Sequence, residues 1–106
     1  MMKDLAYHTK ADAALGALTE ALEEADAQGA LDMEYAGGML TICVPSGKQL
    51  VVSKHAASGQ IWLASPVSGG LHFSYDGVAW RLADGRTLGE VLSHELQTLA
   101  HLHVHF

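Results

Sequence analysis

Gln60-Ile61-Trp62-Leu63-Ala64-Ser65-Pro66 reads as a β-strand closed by a turn. Successive side chains of a strand point to opposite faces of its sheet. Ile61, Leu63 and Ser65 therefore share one face, and Gln60, Trp62 and Ala64 share the other. The segments before it alternate in the same sense: Leu40, Ile42 and Val44 against Thr41 and Cys43, then Leu50 and Val52 against Gln49, Val51 and Ser53. If the aliphatic faces build the core, Trp62 stands among glutamines, threonine and serine on an open sheet face. An exposed indole is a favoured anchor for a protein partner. The plainer alternative is an indole covered by a loop or by long neighbouring side chains.

Working outward, Gly37-Gly38, Pro45-Ser46-Gly47, Ser58-Gly59, Ser68-Gly69-Gly70 and Asp76-Gly77 punctuate the region from Asp32 to Leu82. Their spacing of about ten residues suits an antiparallel meander. Leu71, Phe73 and Tyr75, then Val78, Trp80 and Leu82, continue the alternation, with Trp80 on the core face. A helix is predicted upstream, from Leu5 to Gln28, where Ala11, Ala14, Leu15, Leu18, Leu22 and Ala25 form an apolar stripe and Gly29 supplies a C-terminal cap. A second helix opens at Thr87-Leu88-Gly89-Glu90, a capping-box pattern, with Leu88, Val91, Leu92, Leu96 and Leu99 as its buried stripe. Helices at both ends of a strand run must share the one apolar face of the sheet. The expected fold is thus α+β, a two-layer sandwich with the N- and C-terminal helices on one face of an antiparallel sheet of about six strands. The whole chain, 1–106, reads as a single domain.

Composition narrows the function. Hydrophobic residues make up 49% of the 106, which argues for a packed core rather than disorder. A net charge of −6 with six Lys and Arg argues against nucleic acid, whose binding rests on clustered cations. No apolar run reaches the roughly 18 residues that span a membrane, and the opening Met1-Met2-Lys3-Asp4-Leu5-Ala6-Tyr7-His8 has no secretory apolar core. The lone Cys43 has no partner for an internal disulfide, which points to a reducing compartment.

The charged residues offer two kinds of site. Along the first helix, Asp12 and Glu23 fall close together at about 100° per residue. His8 lies one turn from Asp12, and Glu20 lies one turn from Glu24, with Asp26, Asp32 and Glu34 just beyond. Such an oxygen-rich surface suits hard cations, and an adjacent imidazole extends the range to iron or manganese. An ordinary solvated helix face is the alternative. In the tail, His101-Leu102-His103-Val104-His105-Phe106 alternates strictly, so Leu102, Val104 and Phe106 are expected to cover the core. The three imidazoles would then face solvent; capture of a transition metal is the alternative, although neighbours ~6.5–7 Å apart on one strand suit a tight chelate poorly. His94-Glu95 does not complete a zinc-protease motif, because Thr98 stands where the second histidine belongs. His72 and Arg81 are expected on the Trp62 face. No nucleophile elbow or phosphate loop occurs, so catalysis has little support.

Taken together, Tyr7-His8-Thr9-Lys10-Ala11-Asp12, Asp32-Met33-Glu34-Tyr35, Gly38-Met39-Leu40-Thr41-Ile42, Gln60 to Gly69, His72-Phe73 and Leu88-Gly89-Glu90-Val91-Leu92 resemble the frataxin family. The resemblance runs in order over nearly the whole chain. It implies an accessory protein of iron–sulfur cluster assembly that docks on the cysteine desulfurase and scaffold complex and modulates sulfur transfer or iron supply. It makes His8, Asp12, Glu20, Glu23, Glu24, Asp26, Asp32 and Glu34 candidates for weak surface binding of iron or for contact with the desulfurase. It makes Ser53, Lys54, Gln60, Trp62, Ser65, Pro66 and His72 the partner-binding set, facing the scaffold. The chain departs from the family at Thr19, Gln28 and Ala30, often carboxylates there, and at Ser53-Lys54-His55, where the family usually reads Asn-Lys/Arg-Gln. The expected state is a monomer in the bacterial cytoplasm, or in the mitochondrial matrix for a processed form. The alternatives are ferroxidase or iron-storage activity on the acidic ridge, and a metal-independent interaction domain.

Overall fold

The structure, a computed structural model, describes residues 4–106; Met1, Met2 and Lys3 of the opening segment lie outside the described residues. Chain order is α1 (Asp4–Ala25), β1 (Asp32–Ala36), β2 (Met39–Cys43), β3 (Gln49–His55), β4 (Gln60–Ser65), β5 (Gly69–Tyr75), β6 (Trp80–Arg81) and α2 (Leu88–Ala100). The six strands lie in sequence order, each antiparallel to its neighbours. Local chemistry explains this plain meander. Ala36 faces Met39 across a two-residue turn, and Gly37 and Gly38 both adopt positive φ, 60° and 75°. Such a turn matches strand twist and is accessible at low cost only to glycine or asparagine.

The core lies where the alternation places it. Leu40, Ile42, Leu50, Val52, Ile61, Leu63 and Phe73 are buried on one sheet face beneath Tyr7, Ala11, Leu15, Leu18 and Leu22 of α1 and Leu88, Val91, Leu92 and Leu96 of α2. Trp80 joins them as expected and meets the Tyr7 ring edge-on, with centroids 6.0 Å apart. The Tyr7 hydroxyl donates to Gln60 O at 2.8 Å, tying α1 to the decisive strand, and burial raises its pKa above the ordinary value. Both helices lie on this face, and among the described residues no helix covers the opposite one.

Three local expectations need correcting. Helix α1 stops at Ala25 rather than Gln28, because the Asp26 carboxylate accepts the Ala30 and Leu31 N–H groups, each at 2.8 Å. A side chain that captures backbone donors competes with helix continuation, and Gly29 serves that turn instead of capping the helix. Val78 leaves the strand pattern and is 80% exposed, since Asp76 Oδ1 takes the Val78 and Ala79 N–H groups and curls the backbone there. In the tail, Val104 is buried and held by Ser93 Oγ, which donates to its carbonyl at 2.9 Å, but Phe106 remains 44% exposed. His101 breaks the alternation because it closes α2 in the left-handed region, at φ 52° and ψ 34°. The other end of α2 follows the sequence: Thr87 Oγ1 accepts Glu90 N–H as the N-cap.

Candidate docking face and acidic ridge

Residues directly opposite one another on paired strands share a face. The pairs Ser53–Trp62 and Trp62–His72 therefore put these three on the open face, together with Thr41, Val51, His55, Gln60, Ala64, Ser74 and Arg81. Trp62 is on this face as predicted, but it does not stand free. It is half-buried, stacked between two imidazoles that run nearly parallel to the indole. His55 covers one side at 3.6 Å and 10°, and His72 the other at 4.4 Å and 12°. The indole N–H donates to Gln60 Oε1 at 3.2 Å, and Gln60 Nε2 donates to Ser74 Oγ at 3.1 Å. His55 Nδ1 lies 2.7 Å from Ser58 Oγ. The outcome lies between the exposed anchor and the covered indole: the ring faces are covered, and ring edges point outward.

Beside His72 a groove of about 470 Å³ is lined by Gln60, Ser74, Asp76 and Arg81 among others. Arg81 Nε donates to Asp76 Oδ2 at 2.7 Å and its Nη1 donates to Gly85 O. The N–H groups of Ala79 and Val78, with the Arg81 guanidinium, hold the Asp76 carboxyl down at about 2.

Other residues of the partner set are placed differently. Lys54 projects to the helix side, where its ammonium meets Asp12 Oδ1 at 2.8 Å with the side chain only 18% exposed. Strand alternation requires this, since Lys54 follows Leu50 and Val52 on the core face. Ser65 Oγ accepts the Val67 and Ser68 N–H groups and so shapes the turn after β4, leaving Pro66 exposed.

The eight ridge candidates do not form one cluster. Asp12 is paired with Lys54, and both oxygens of Asp26 are held by backbone N–H groups. His8 is half-buried, its Nδ1 has no hydrogen-bond partner among the described residues, and its ring packs against Tyr7. Asp32 and Glu34 pair with Cys43 and Thr41, which puts them on the sheet face away from α1. Glu20, Glu23 and Glu24 remain exposed on the helix. Among the described residues no three His, Cys, Asp or Glu side chains are arranged to hold a metal ion. A hard cation needs several oxygen ligands converging at about 2.0–2.6 Å. The residues present do not fit a built iron site, only a diffuse negative surface.

Sequence reasoning missed His55, although alternation from Ser53 puts it on the Trp62 face. It also missed Glu95, which sits in the buried stripe of α2 at 1% exposure with neither carboxylate oxygen hydrogen-bonded. Its position three beyond Leu92 was legible; a charged residue is simply not expected in a buried stripe.

Among the described residues the chain is thus a small two-layer α+β domain with one sheet face free of helices, an aromatic stack on that face and exposed carboxylates along α1. The Frataxin-like domain family matches residues 1–101, and the chain belongs to the frataxin family. Among curated proteins, it is 38% identical over 95 residues to the iron-sulfur cluster assembly protein CyaY of Thioalkalivibrio sulfidiphilus, covering 90% of this chain and 87% of that one. It is likewise 38% identical over 100 residues to the CyaY of Dechloromonas aromatica, covering 93% and 90%. Among solved structures, a frataxin from Psychromonas ingrahamii shares the fold with a TM-score of 0.89 at 23% identity, over 98% of this chain and 97% of that one. Trimeric yeast frataxin complexed with ferrous iron superposes with a TM-score of 0.69 at 28% identity, covering 95% and 88%.

Proposed function

We propose that this protein is an accessory factor of iron–sulfur cluster assembly in the bacterial cytoplasm, acting by docking rather than by catalysis. The names of its curated bacterial relatives support the assembly role. The observation that carries the docking reading is Trp62, clamped flat by two imidazoles on the one sheet face that has no helices over it. A preorganised aromatic group loses little conformational freedom on binding, which favours it as an anchor. This face takes the scaffold, through Trp62, Gln60, Ser53 and His72. Glu20, Glu23 and Glu24 on α1 face a basic patch of the cysteine desulfurase, an attraction that sets association rate and weakens with salt. Iron is cargo held loosely by these exposed carboxylates. The dispersal of the other ridge residues speaks against a ferroxidase centre.

The test is cluster formation on purified scaffold and desulfurase, with the wild-type protein or Trp62→Ala added. The expected result is a rate change with the wild type that is lost, or cut at least fivefold, with the folded variant. An equal effect from both proteins would overturn the assignment of this face.

A further inference from the structure

The open face between β3 and β6 has an unusual charge inventory for a chain of net charge −6. Its ionisable groups are His55, His72, Arg81 and Asp76, and the Asp76 carboxylate is taken up by two backbone N–H groups and Arg81. Lys54 Nζ lies on the opposite face with Asp12, and Asp32 and Glu34 belong to β1, separated from β3 by β2. The remaining groups around the imidazoles are neutral: Ser58 Oγ at His55, Gln60 and Trp62 on β4, and Ser74 on β5. Any charge this face gains from the imidazoles is positive.

We propose that the His55–Trp62–His72 stack makes this face a proton-dependent receptor for an acidic segment of the partner, an inference that rests on the docking reading above. Because both indole faces are covered, the partner meets ring edges and the outer imidazole faces, not a free indole. Histidine is the side chain whose charge changes between pH 5 and 8. One proton on either imidazole adds a cation–π attraction to the indole. A second proton places like charges on either side of one ring, which repel. A carboxylate entering the groove beside His72 offsets that repulsion and finds donors already present in Arg81 and Ser74. Docking therefore takes up protons, and affinity rises as pH falls.

The experiment measures affinity for purified scaffold at pH 7.8 and 6.0 at fixed ionic strength. It compares the wild type, the His55→Gln/His72→Gln double variant and Trp62→Ala, each checked for folding by circular dichroism. The wild type should tighten about tenfold relative to the double variant across this range. Affinity that is flat, that weakens on acidification, or that follows the same slope in the double variant overturns the proposal while leaving docking intact. Wild-type affinity in Trp62→Ala would instead remove the docking reading, and this inference with it.

Discussion

Replacing Glu95 by methionine should stabilise this protein. Glu95 follows Leu88, Val91 and Leu92 in the stripe that α2 turns to the core, and it is 1% exposed. Neither carboxylate oxygen has a hydrogen-bond partner among the described residues. Mutational data put the cost of burying an unpartnered polar group at roughly 1–3 kcal/mol. Methionine nearly conserves volume and adapts to irregular space, so the strain from the extra bulk should be small. The expected gain is about 2 kcal/mol, which for a domain of this size raises Tm by about 10 °C. Glu95→Gln keeps the shape but retains a polar amide, and should recover less than half as much. The assay is urea unfolding followed by circular dichroism, with an unchanged m-value and a higher midpoint expected. A folded Glu95→Met variant that is less stable than wild type by 1 kcal/mol or more would refute the reasoning. It would mean that the carboxylate is satisfied in solution, with Arg86, His94 and Ser68 around the same cavity as the available partners.

Two further substitutions test other details. Asp76 has a folded pKa of about 2 against an ordinary 3.8, so its contribution to stability is complete above pH 3.8 and lost as pH falls toward 2; Asp76→Asn should be less stable at neutral pH and show a shallower acid limb, and identical acid limbs in a pH series of thermal melts would contradict this. His101 caps α2 in the left-handed region at φ 52°, where a Cβ is disfavoured, so His101→Gly should gain about 0.5–1 kcal/mol; a lower Tm would show that the imidazole makes compensating contacts.

Much of the fold was legible because both periods that encode it are local. The period of two along β2, β3 and β4 separated core from open face correctly, and the α1 stripe named Ala11, Leu15, Leu18 and Leu22 as buried, as they are. Turn chemistry was local as well, so the glycine pair and the Thr87 cap fell where expected. The errors came where a side chain overrode the pattern: Asp26 ended α1 early, and Asp76 pulled Val78 out of the strand.

The candidate site was legible only in part. Alternation alone puts Trp62, His72 and Arg81 on one face and the helix carboxylates on another element. Nothing in the local pattern brings His55 and His72 against opposite sides of one indole, because that depends on the register of three strands and on side-chain rotamers. The same holds for the ridge, which reads as continuous along the chain. Folding pairs Asp12 with a lysine 42 residues away and turns Asp32 and Glu34 to the far side of the sheet. The sequence by itself determined the two layers, the face that would be left open and the residues displayed on each, since these follow from periodicities of a few residues. Only the tertiary structure decided which displayed groups touch, because contact distances across strands and layers are set by register and packing between segments far apart in the chain.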